Sequence, residues 1–192
     1  MPTQAEPLDQ AARRLCGILR RRSRRLVLAE SCTGGLVAAA VTDIPGASDL
    51  LWGGFVVYSE ASKTALLGVR PETIAEQGVV SRETALEMAR GALARSGADL
   101  AVAVTGFAGP DTAPGEAAPG RVCLAWVAAD RDRAAASGGD SGAGRTTPPA
   151  LPAERAVEVV FQGGREAVRR AAATYALDQA ADFADKHFPE RY

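Results

Sequence analysis

The chain has 192 residues, of which 47% are apolar and 23% charged, and its formal net charge is −1 at pH 7. This composition is typical of a soluble globular domain, and the length is enough to bury a core. The balanced charge gives no global reason to expect a nucleic-acid partner. Apolar runs are far shorter than the roughly 20 residues of a membrane-spanning helix, and the N-terminus lacks a signal-peptide pattern.

The cysteines and the histidine restrict the chemistry of any site. Cys16, Cys32 and Cys123 are odd in number and form no CxxC pair, which argues against a disulfide framework or a structural zinc site. A reducing cytoplasm is therefore the expected compartment. His187 is the single histidine, so a histidine-rich metal site within one chain is excluded, and we predict neither a metal nor a cofactor.

Helices alternate with short apolar strands along the sequence. In chain order, the predicted elements are a helix over 8–22, a strand over 26–29, a helix over 36–41, a strand over 54–58, a short helix through 63 to 67, a helix over 82–96, strands over 100–104, 122–128 and 156–161, and a helix over 165–184. This order predicts one α/β domain over 1–192, a three-layer α/β/α arrangement with a mixed, mostly parallel sheet and an antiparallel edge.

The segment 131–153 is rich in Gly, Pro and Ala and poor in large apolar residues. Because it cannot bury enough surface to order itself, we predict a flexible insert between two antiparallel strands. Ligands of such sheets bind outside the carboxyl ends of the strands. Ser31, Tyr58 and Thr105 each follow a different predicted strand, so we expect these three residues to converge on one pocket.

Ser31 and Lys63 are the most informative residues for chemistry. Only Lys63 and Lys186 among the 22 basic residues are lysines, and a buried lysine can lose its proton and act as a base. Ser31 ends an apolar run in LAESCTGG, and Lys63 follows another in YSEASK. This combination indicates a Ser–Lys nucleophile pair. The alternative is that Ser31 caps a helix and Lys63 is a solvated helix residue.

Glycines follow Ser31 closely in the sequence. Gly34 and Gly35 open the predicted helix over 36–41, and we expect them to leave backbone N–H groups free near Ser31 for an oxyanion or a phosphate. The alternative is a glycine turn that only redirects the chain. Tyr58 has two interpretations as well: it stacks on a planar ring or relays a proton, or it is a half-buried strand residue.

A second glycine motif, TGFAGPD, follows the third predicted strand and contains Thr105, Gly106, Phe107 and Gly109. It matches neither a Walker loop nor a dinucleotide fingerprint, so a ligand loop and a structural turn both stay open. The arginines between 20 and 25 resemble a nucleic-acid patch. They also lie at a predicted helix C-terminus, where positive charge is favourable, and no aromatic residues are interleaved, so we expect a solvated face.

The motifs AESCTGG, DIPGAS, GGFVVYSEASK, LLGV, GVVS and VTGFAGPD stand in the order and spacing of the CinA C-terminal domain family. The chain resembles that family over about 8–184 apart from the insert, and looks like its stand-alone form. The resemblance implies an amidohydrolase that converts nicotinamide mononucleotide (NMN) to nicotinate mononucleotide and ammonia in pyridine-nucleotide salvage. It implies Ser31 as nucleophile, Lys63 as base, and Tyr58 and Thr105 as further catalytic residues. It also implies a homo-oligomer.

The resemblance leaves some positions open. The substrate-binding residues that we expect lie in the two glycine motifs; they are Gly34, Gly35, Gly106, Phe107 and Gly109. Glu60 stands where the family often has Asn, and Gly164 stands where it tends to have an acidic residue. These two departures favour the alternative function, a non-catalytic module that binds or senses pyridine nucleotides. Neither changes the Ser–Lys pair.

Overall fold

The computed structural model describes residues 7–109, 119–129 and 153–189. In chain order the elements are α1 (Leu8–Arg21), β1 (Leu26–Glu30), α2 (Leu36–Thr42), a 3₁₀ turn (Ala47–Asp49), β2 (Leu51–Val56), α3 (Glu60–Leu67), α4 (Pro71–Gln77), α5 (Arg82–Ala94), β3 (Leu100–Gly106), β4 (Arg121–Ala128), β5 (Ala153–Val160) and α6 (Arg165–His187). None of the helices in these three stretches combines the length and the apolar character needed to cross a bilayer.

The sheet has the strand order β2-β1-β3-β4-β5. Strand β1 is parallel to both β2 and β3, whereas β4 is antiparallel to β3 and to β5. The predicted α/β class and mixed sheet are therefore confirmed, and the antiparallel edge consists of β4 and β5. The central strands β1 and β3 are almost entirely buried, while β2 and β5 at the edges alternate between half-buried and exposed residues. Burial on both faces explains why the central strands read as continuous apolar runs.

Helices cover both faces of the sheet. Alternate strand residues such as Leu28 and Trp126 pack with buried residues of α1, α2 and α6, and those between them, such as Ala29 and Val127, pack with α3 and α5. Trp126 is fully buried, and its indole Nε1 donates a hydrogen bond to the Ala176 carbonyl of α6 at 3.0 Å. The predicted three layers are confirmed because each face has its own apolar cluster.

Some predicted boundaries are wrong. Strand β2 begins at Leu51 and ends at Val56, not at 54–58, since pairing with β1 outweighs the poor strand propensity of Gly53 and Gly54. Helix α4, which begins with Pro71, was not predicted. Strand β5 begins at Ala153, so that residue belongs to the sheet; the rest of the predicted insert lies outside the described residues.

The prediction of a solvated face is wrong for two of the arginines between 20 and 25, while Arg20, Arg21 and Arg25 are exposed. Arg22 and Arg24 are buried. Arg22 donates to the carbonyls of Ala184 and Asp185 at the end of α6, both at 2.7 Å. Arg24 lies over the ring of Phe188, 5.0 Å from its centroid. These side chains hold α1 and the following turn against α6, which accounts for their positions without a nucleic-acid partner.

Candidate active site

The carboxyl ends of β1, β2 and β3 lie side by side. Glu30 of β1 is level with Val56 of β2 and Val104 of β3. The pairing continues past the strand, since the Ser31 N–H donates to the Val104 carbonyl at 2.9 Å. The residue after β1 is therefore held beside the end of β3. Thr105 lies within β3 rather than after it, which corrects its predicted position.

Lys63 lies next to Ser31 and is almost fully buried, with 1% of its surface exposed. Its Nζ is 3.0 Å from Ser31 Oγ and also donates to the Val57 carbonyl at 2.9 Å. The buried residues of α3 are Lys63 and Leu67, one turn apart on the same face. A capping box formed by Ser59 and Ser62 fixes the first turn of that helix. The alternative of a solvated lysine is wrong.

Burial lowers the pKa of Lys63 below its usual value, because the charged ammonium loses hydration. Negative charge on Cys32 or Glu60 acts in the opposite direction, with a smaller effect. Burial also raises the pKa of the Cys32 thiol to about 11, so this neighbour of Ser31 is a neutral thiol at pH 7. A lysine with a lowered pKa beside a hydroxyl has the geometry of a base and its nucleophile.

The turn after Ser31 has left-handed backbone at two glycines, with φ of +61° at Gly34 and +93° at Gly35. Their N–H groups are not free, contrary to the prediction. The Gly34 N–H donates to the Ser31 carbonyl at 3.0 Å, and the Gly35 N–H donates to Glu30 Oε2 at 2.9 Å. Both glycines thus shape the turn, and their role in substrate binding stays a prediction.

Glu30 is a residue of this site that sequence reasoning missed. Its carboxylate is buried, with 2% of the residue exposed, and it accepts hydrogen bonds from the first N–H groups around α2. Those donors are Gly35, Val37 and Ala38, at 2.9, 3.1 and 2.8 Å. Helix α2 has no side-chain cap at Gly35, so Glu30 supplies the negative charge that a helix N-terminus favours. The available signal was an acidic residue ending an apolar strand.

Arg169 of α6 also reaches the Ser31 turn. Its Nε donates to the Cys32 carbonyl at 3.1 Å, and its Nη2 donates to the Thr33 carbonyl at 2.8 Å. Nothing local in the sequence points to this contact, because the partners are 137 and 136 residues apart. The turn is therefore held from two sides: the Glu30 carboxylate accepts from its N–H groups, and the Arg169 guanidinium donates to its carbonyls.

Tyr58 lies beyond the end of β2, and 62% of its surface is exposed. The interpretation as a half-buried strand residue is therefore wrong. The Tyr58 hydroxyl accepts a hydrogen bond of 2.7 Å from Nη2 of Arg165, the first residue of α6. Gly164, the position where the sequence departs from the family, is the N-cap of that helix. The exposed ring is free to meet a ligand, and its catalytic role stays a prediction.

Thr105 is buried, and its hydroxyl donates to the Val79 carbonyl at 2.9 Å. Within the described residues it makes no hydrogen bond to Ser31 or Lys63. Its contact instead ties β3 to the segment before α5. Thr105 thus adjoins the site through the strand register, and its catalytic role stays a prediction.

The glycine motif that begins in the last two residues of β3 is described as far as Gly109. A Cβ atom at Gly106 would lie 2.8 Å from Cγ2 of Val122, so this glycine permits close packing of β3 on β4. Phe107 packs against the apolar cluster on the α5 side of the sheet. The predicted contacts of Gly106, Phe107 and Gly109 with a substrate stay predictions, and Asp111 lies outside the described residues.

Comparison with known proteins identifies the family. The profile of the CinA C-terminal domain matches residues 8–146. The chain belongs to the CinA C-terminal domain family. A relative from Symbiobacterium thermophilum is 44% identical over 173 residues, which are 90% of this chain but 37% of that protein. The chain thus spans little more than a third of the length of that relative.

Other known proteins match this chain nearly end to end. The nicotinamide-nucleotide amidohydrolase PncC of Escherichia coli K12 is 39% identical over 170 residues, covering 88% of this chain and 90% of that protein. The structure of the competence damage-inducible protein A of Klebsiella pneumoniae has a TM-score of 0.80 at 30% identity, covering 96% of this chain and 100% of that chain. The structure of the competence/damage inducible protein CihA from Agrobacterium tumefaciens has a TM-score of 0.77 at 36% identity, covering 95% of this chain and 99% of that chain.

Proposed function

We propose that this CinA-family chain hydrolyses the carboxamide of NMN, releasing nicotinate mononucleotide and ammonia, with Ser31 as nucleophile and Lys63 as general base. The observation that carries the proposal is the 3.0 Å separation of Lys63 Nζ and Ser31 Oγ in a buried setting. The E. coli relative named as a nicotinamide-nucleotide amidohydrolase supports the substrate class, since it aligns over 88% of this chain.

Acylation begins with neutral Lys63. Its Nζ takes the proton of Ser31 as Oγ attacks the carboxamide carbon, and the carbonyl π electrons move to oxygen. The lowered pKa of Lys63 favours the neutral amine that this step requires. When the tetrahedral intermediate collapses, the C–N bond breaks and the Lys63 ammonium gives its proton to the leaving nitrogen. Ammonia departs, and nicotinate mononucleotide remains esterified to Ser31.

Deacylation repeats these steps with water. Lys63, neutral again, takes a proton from water as the oxygen attacks the ester carbon. Collapse of the second intermediate breaks the bond to Oγ, and the Lys63 ammonium returns a proton to Ser31. The Val57 carbonyl, which accepts from Nζ at 2.9 Å, holds the amine in place through both cycles. No proton is consumed by the enzyme over the full reaction.

Tyr58 and the glycine motif at the end of β3 are the proposed substrate contacts. The exposed ring of Tyr58 offers a flat face for the pyridine ring, and its hydroxyl proton is available because the hydroxyl accepts from Arg165. Phe107 is half-buried against the core, which makes Tyr58 the more accessible aromatic side chain. The backbone around Gly106 and Gly109 is proposed to contact the ribose or the phosphate.

The direct test is ammonia release from NMN by the purified protein, with EDTA present throughout. We expect wild-type turnover and its loss, by at least about 10³-fold, in Ser31→Ala. Ser96→Ala is the matched control, because Ser96 lies just beyond the C-terminus of α5 and its hydroxyl bonds to the Leu93 carbonyl. Appreciable turnover in Ser31→Ala would refute the covalent route. NMN binding without ammonia release by the wild type would instead support the sensor alternative.

A further inference from the structure

Resting on the proposed function, we infer that Arg169 is a positioning residue that orients an oxyanion hole formed by the backbone N–H groups of Cys32 and Thr33. Arg169 does not touch the substrate in this arrangement. It acts through the two peptide groups whose carbonyls it holds, those of Cys32 and Thr33. The amidase reaction requires such donors because its tetrahedral intermediates carry a negative oxygen.

The Cys32 and Thr33 N–H groups are the candidate oxyanion donors because the next two N–H groups of the turn are already hydrogen-bonded. The Gly34 N–H is bonded to the Ser31 carbonyl, and the Gly35 N–H to Glu30. Within the described residues, the N–H groups of Cys32 and Thr33 donate no hydrogen bond to another residue, and the Cys32 N–H contacts only its own thiol. They belong to the first two residues after the nucleophile, where serine hydrolases commonly place an oxyanion donor.

Peptide geometry links Arg169 to these donors. The Cys32 carbonyl and the Thr33 N–H belong to one peptide group, and the described chain has no cis peptide bond. In a planar trans peptide the N–H points opposite to the C=O. Fixing the Cys32 carbonyl on the Arg169 Nε at 3.1 Å therefore fixes the direction of the Thr33 N–H on the far side.

A second hydrogen bond fixes the direction of the Cys32 N–H. This N–H shares its peptide group with the Ser31 carbonyl, which accepts from the Gly34 N–H at 3.0 Å. Gly34 is in turn held by Arg169, because its own peptide group contains the Thr33 carbonyl, 2.8 Å from Nη2. One planar guanidinium thus immobilises two consecutive peptide groups. Its positive charge at the carbonyl ends also polarises the peptides and strengthens the opposite N–H donors.

Glu30 completes the support from the other side. With three N–H groups of the α2 N-terminus bound to its carboxylate, those dipoles are already neutralised and cannot serve the oxyanion. The left-handed Gly34, with φ of +61°, then turns the chain so that its Cα approaches Arg169: an added Cβ would lie 3.4 Å from Nη2. The arrangement assigns helix capping to Glu30 and oxyanion alignment to Arg169.

Steady-state kinetics of Arg169→Met and Arg169→Lys on NMN test the inference. Misaligned oxyanion donors weaken the transition state more than the ground state, so Arg169→Met should lower kcat by about 10²-fold with KM changed less than about threefold. Arg169→Lys, which keeps the charge and one donor, should recover some of the lost kcat. Arg170→Met is the matched control, since Arg170 is exposed and pairs with Glu166 within α6, and it should retain wild-type kcat.

A fall in kcat/KM of Arg169→Met that comes from KM alone, or an unchanged kcat, would overturn the inference. Thermal melts report whether each variant is folded at the assay temperature. If Arg169→Met does not fold, the kcat of Arg169→Lys decides: a value equal to wild type overturns the inference, and a fall at constant KM supports it.

A second measurement separates this inference from the proposed function. Phenylmethylsulfonyl fluoride labels an activated serine through a step that also places negative charge on oxygen, and mass spectrometry locates the label. If the wild type is labelled at Ser31 but does not release ammonia from NMN, the proposed substrate is wrong. Slow labelling of Arg169→Met would then still support the inference, and equal labelling would overturn it. A wild type that is neither active nor labelled would overturn both.

Discussion

Lys63 Nζ and Ser31 Oγ lie 3.0 Å apart, although the two residues come from different elements: Ser31 follows the end of β1, and Lys63 lies in the helix that follows β2. Parallel pairing of β1 and β2 brings those segments together. Burial beside Ser31 lowers the pKa of Lys63, and a lowered pKa favours the neutral amine that the proposed role as a base requires.

The identity of the base is tested by Lys63→Arg. Arginine keeps the positive charge but does not lose its proton in this pH range, so kcat for NMN should fall by at least about 10³-fold. If Lys63→Arg retained most of the activity, Lys63 would be an electrostatic or binding residue. Lys186→Arg is the control, since Lys186 is exposed near the C-terminus of α6, and it should leave kcat unchanged.

Lys63→Met should lose activity but raise the stability of the fold. Because burial lowers the pKa of Lys63, the unfolded chain binds more protons than the folded chain between that lowered pKa and 10.5. The fold is therefore destabilised as the pH falls through this range, and the cost is still present at lower pH. Methionine removes that cost with a similar volume, so the melting temperature should rise at pH 7 while activity is lost. The gain should shrink as the pH approaches 10.5. A lower melting temperature at pH 7 would contradict the argument.

The pH profile should report the protonation of Lys63. Only the neutral amine accepts the Ser31 proton, so kcat/KM should rise with pH and reach a plateau above the lowered pKa of Lys63. The negative charge of Glu60 raises that pKa, and Glu60→Gln should therefore move the rising limb to lower pH. A shift to higher pH, or none, would mean that another group controls the profile.

Replacing Glu30 should affect both stability and turnover. Gln at this position has one acceptor oxygen instead of two and no charge, so at least one of the three N–H groups, which are buried at Val37 and part-buried at Gly35 and Ala38, loses its partner. We expect a loss of about 1–3 kcal/mol in the free energy of unfolding, measured by urea denaturation, and a fall in kcat as the Ser31 turn loosens. Glu83→Gln, at an exposed position in the first turn of α5, should change stability by less than about 0.5 kcal/mol.

Replacing glycine with alanine should destabilise the protein in α5 and stabilise it in α1. A Cβ atom at Gly91 of α5 would lie 1.9 Å from the carbonyl oxygen of Leu67, the last residue of α3. Gly91→Ala should therefore displace the helix that carries Lys63, with a loss of about 3 kcal/mol or more and reduced kcat. At Gly17 in α1 the nearest atom is the flexible Arg21 Nη1 at 3.6 Å. Gly17→Ala should stabilise by up to about 1 kcal/mol in the same denaturation experiment.

The sequence predicted the elements whose periodicity is strong and whose environment is uniform. The continuous apolar runs of β1 and β3 reflect burial of both faces of the sheet. The amphipathic spacing of α5 reflects a helix that packs on the sheet with one face only. The pairing of Ser31 with Lys63 was also predictable in kind, since a strand-end serine and a rare lysine differ chemically from their surroundings. The strands and the helix depend on the chain within about ten residues, where local propensity and pattern apply. The pairing joins residues that are 32 apart, and only their chemical character was local.

Tertiary structure alone decided what the remaining polar groups do. Gly34 and Gly35 had N–H groups that looked free, but Glu30 and the Ser31 carbonyl take them. Arg169 is sequentially remote from the Ser31 turn, and its contacts exist only because α6 packs beside α2. Hydrogen bonds form with whichever partner the fold brings within about 3 Å. The sequence therefore determined which residues are candidates for the reaction, while the packing of α6 beside α2 and against the sheet determined how the Ser31 turn is held.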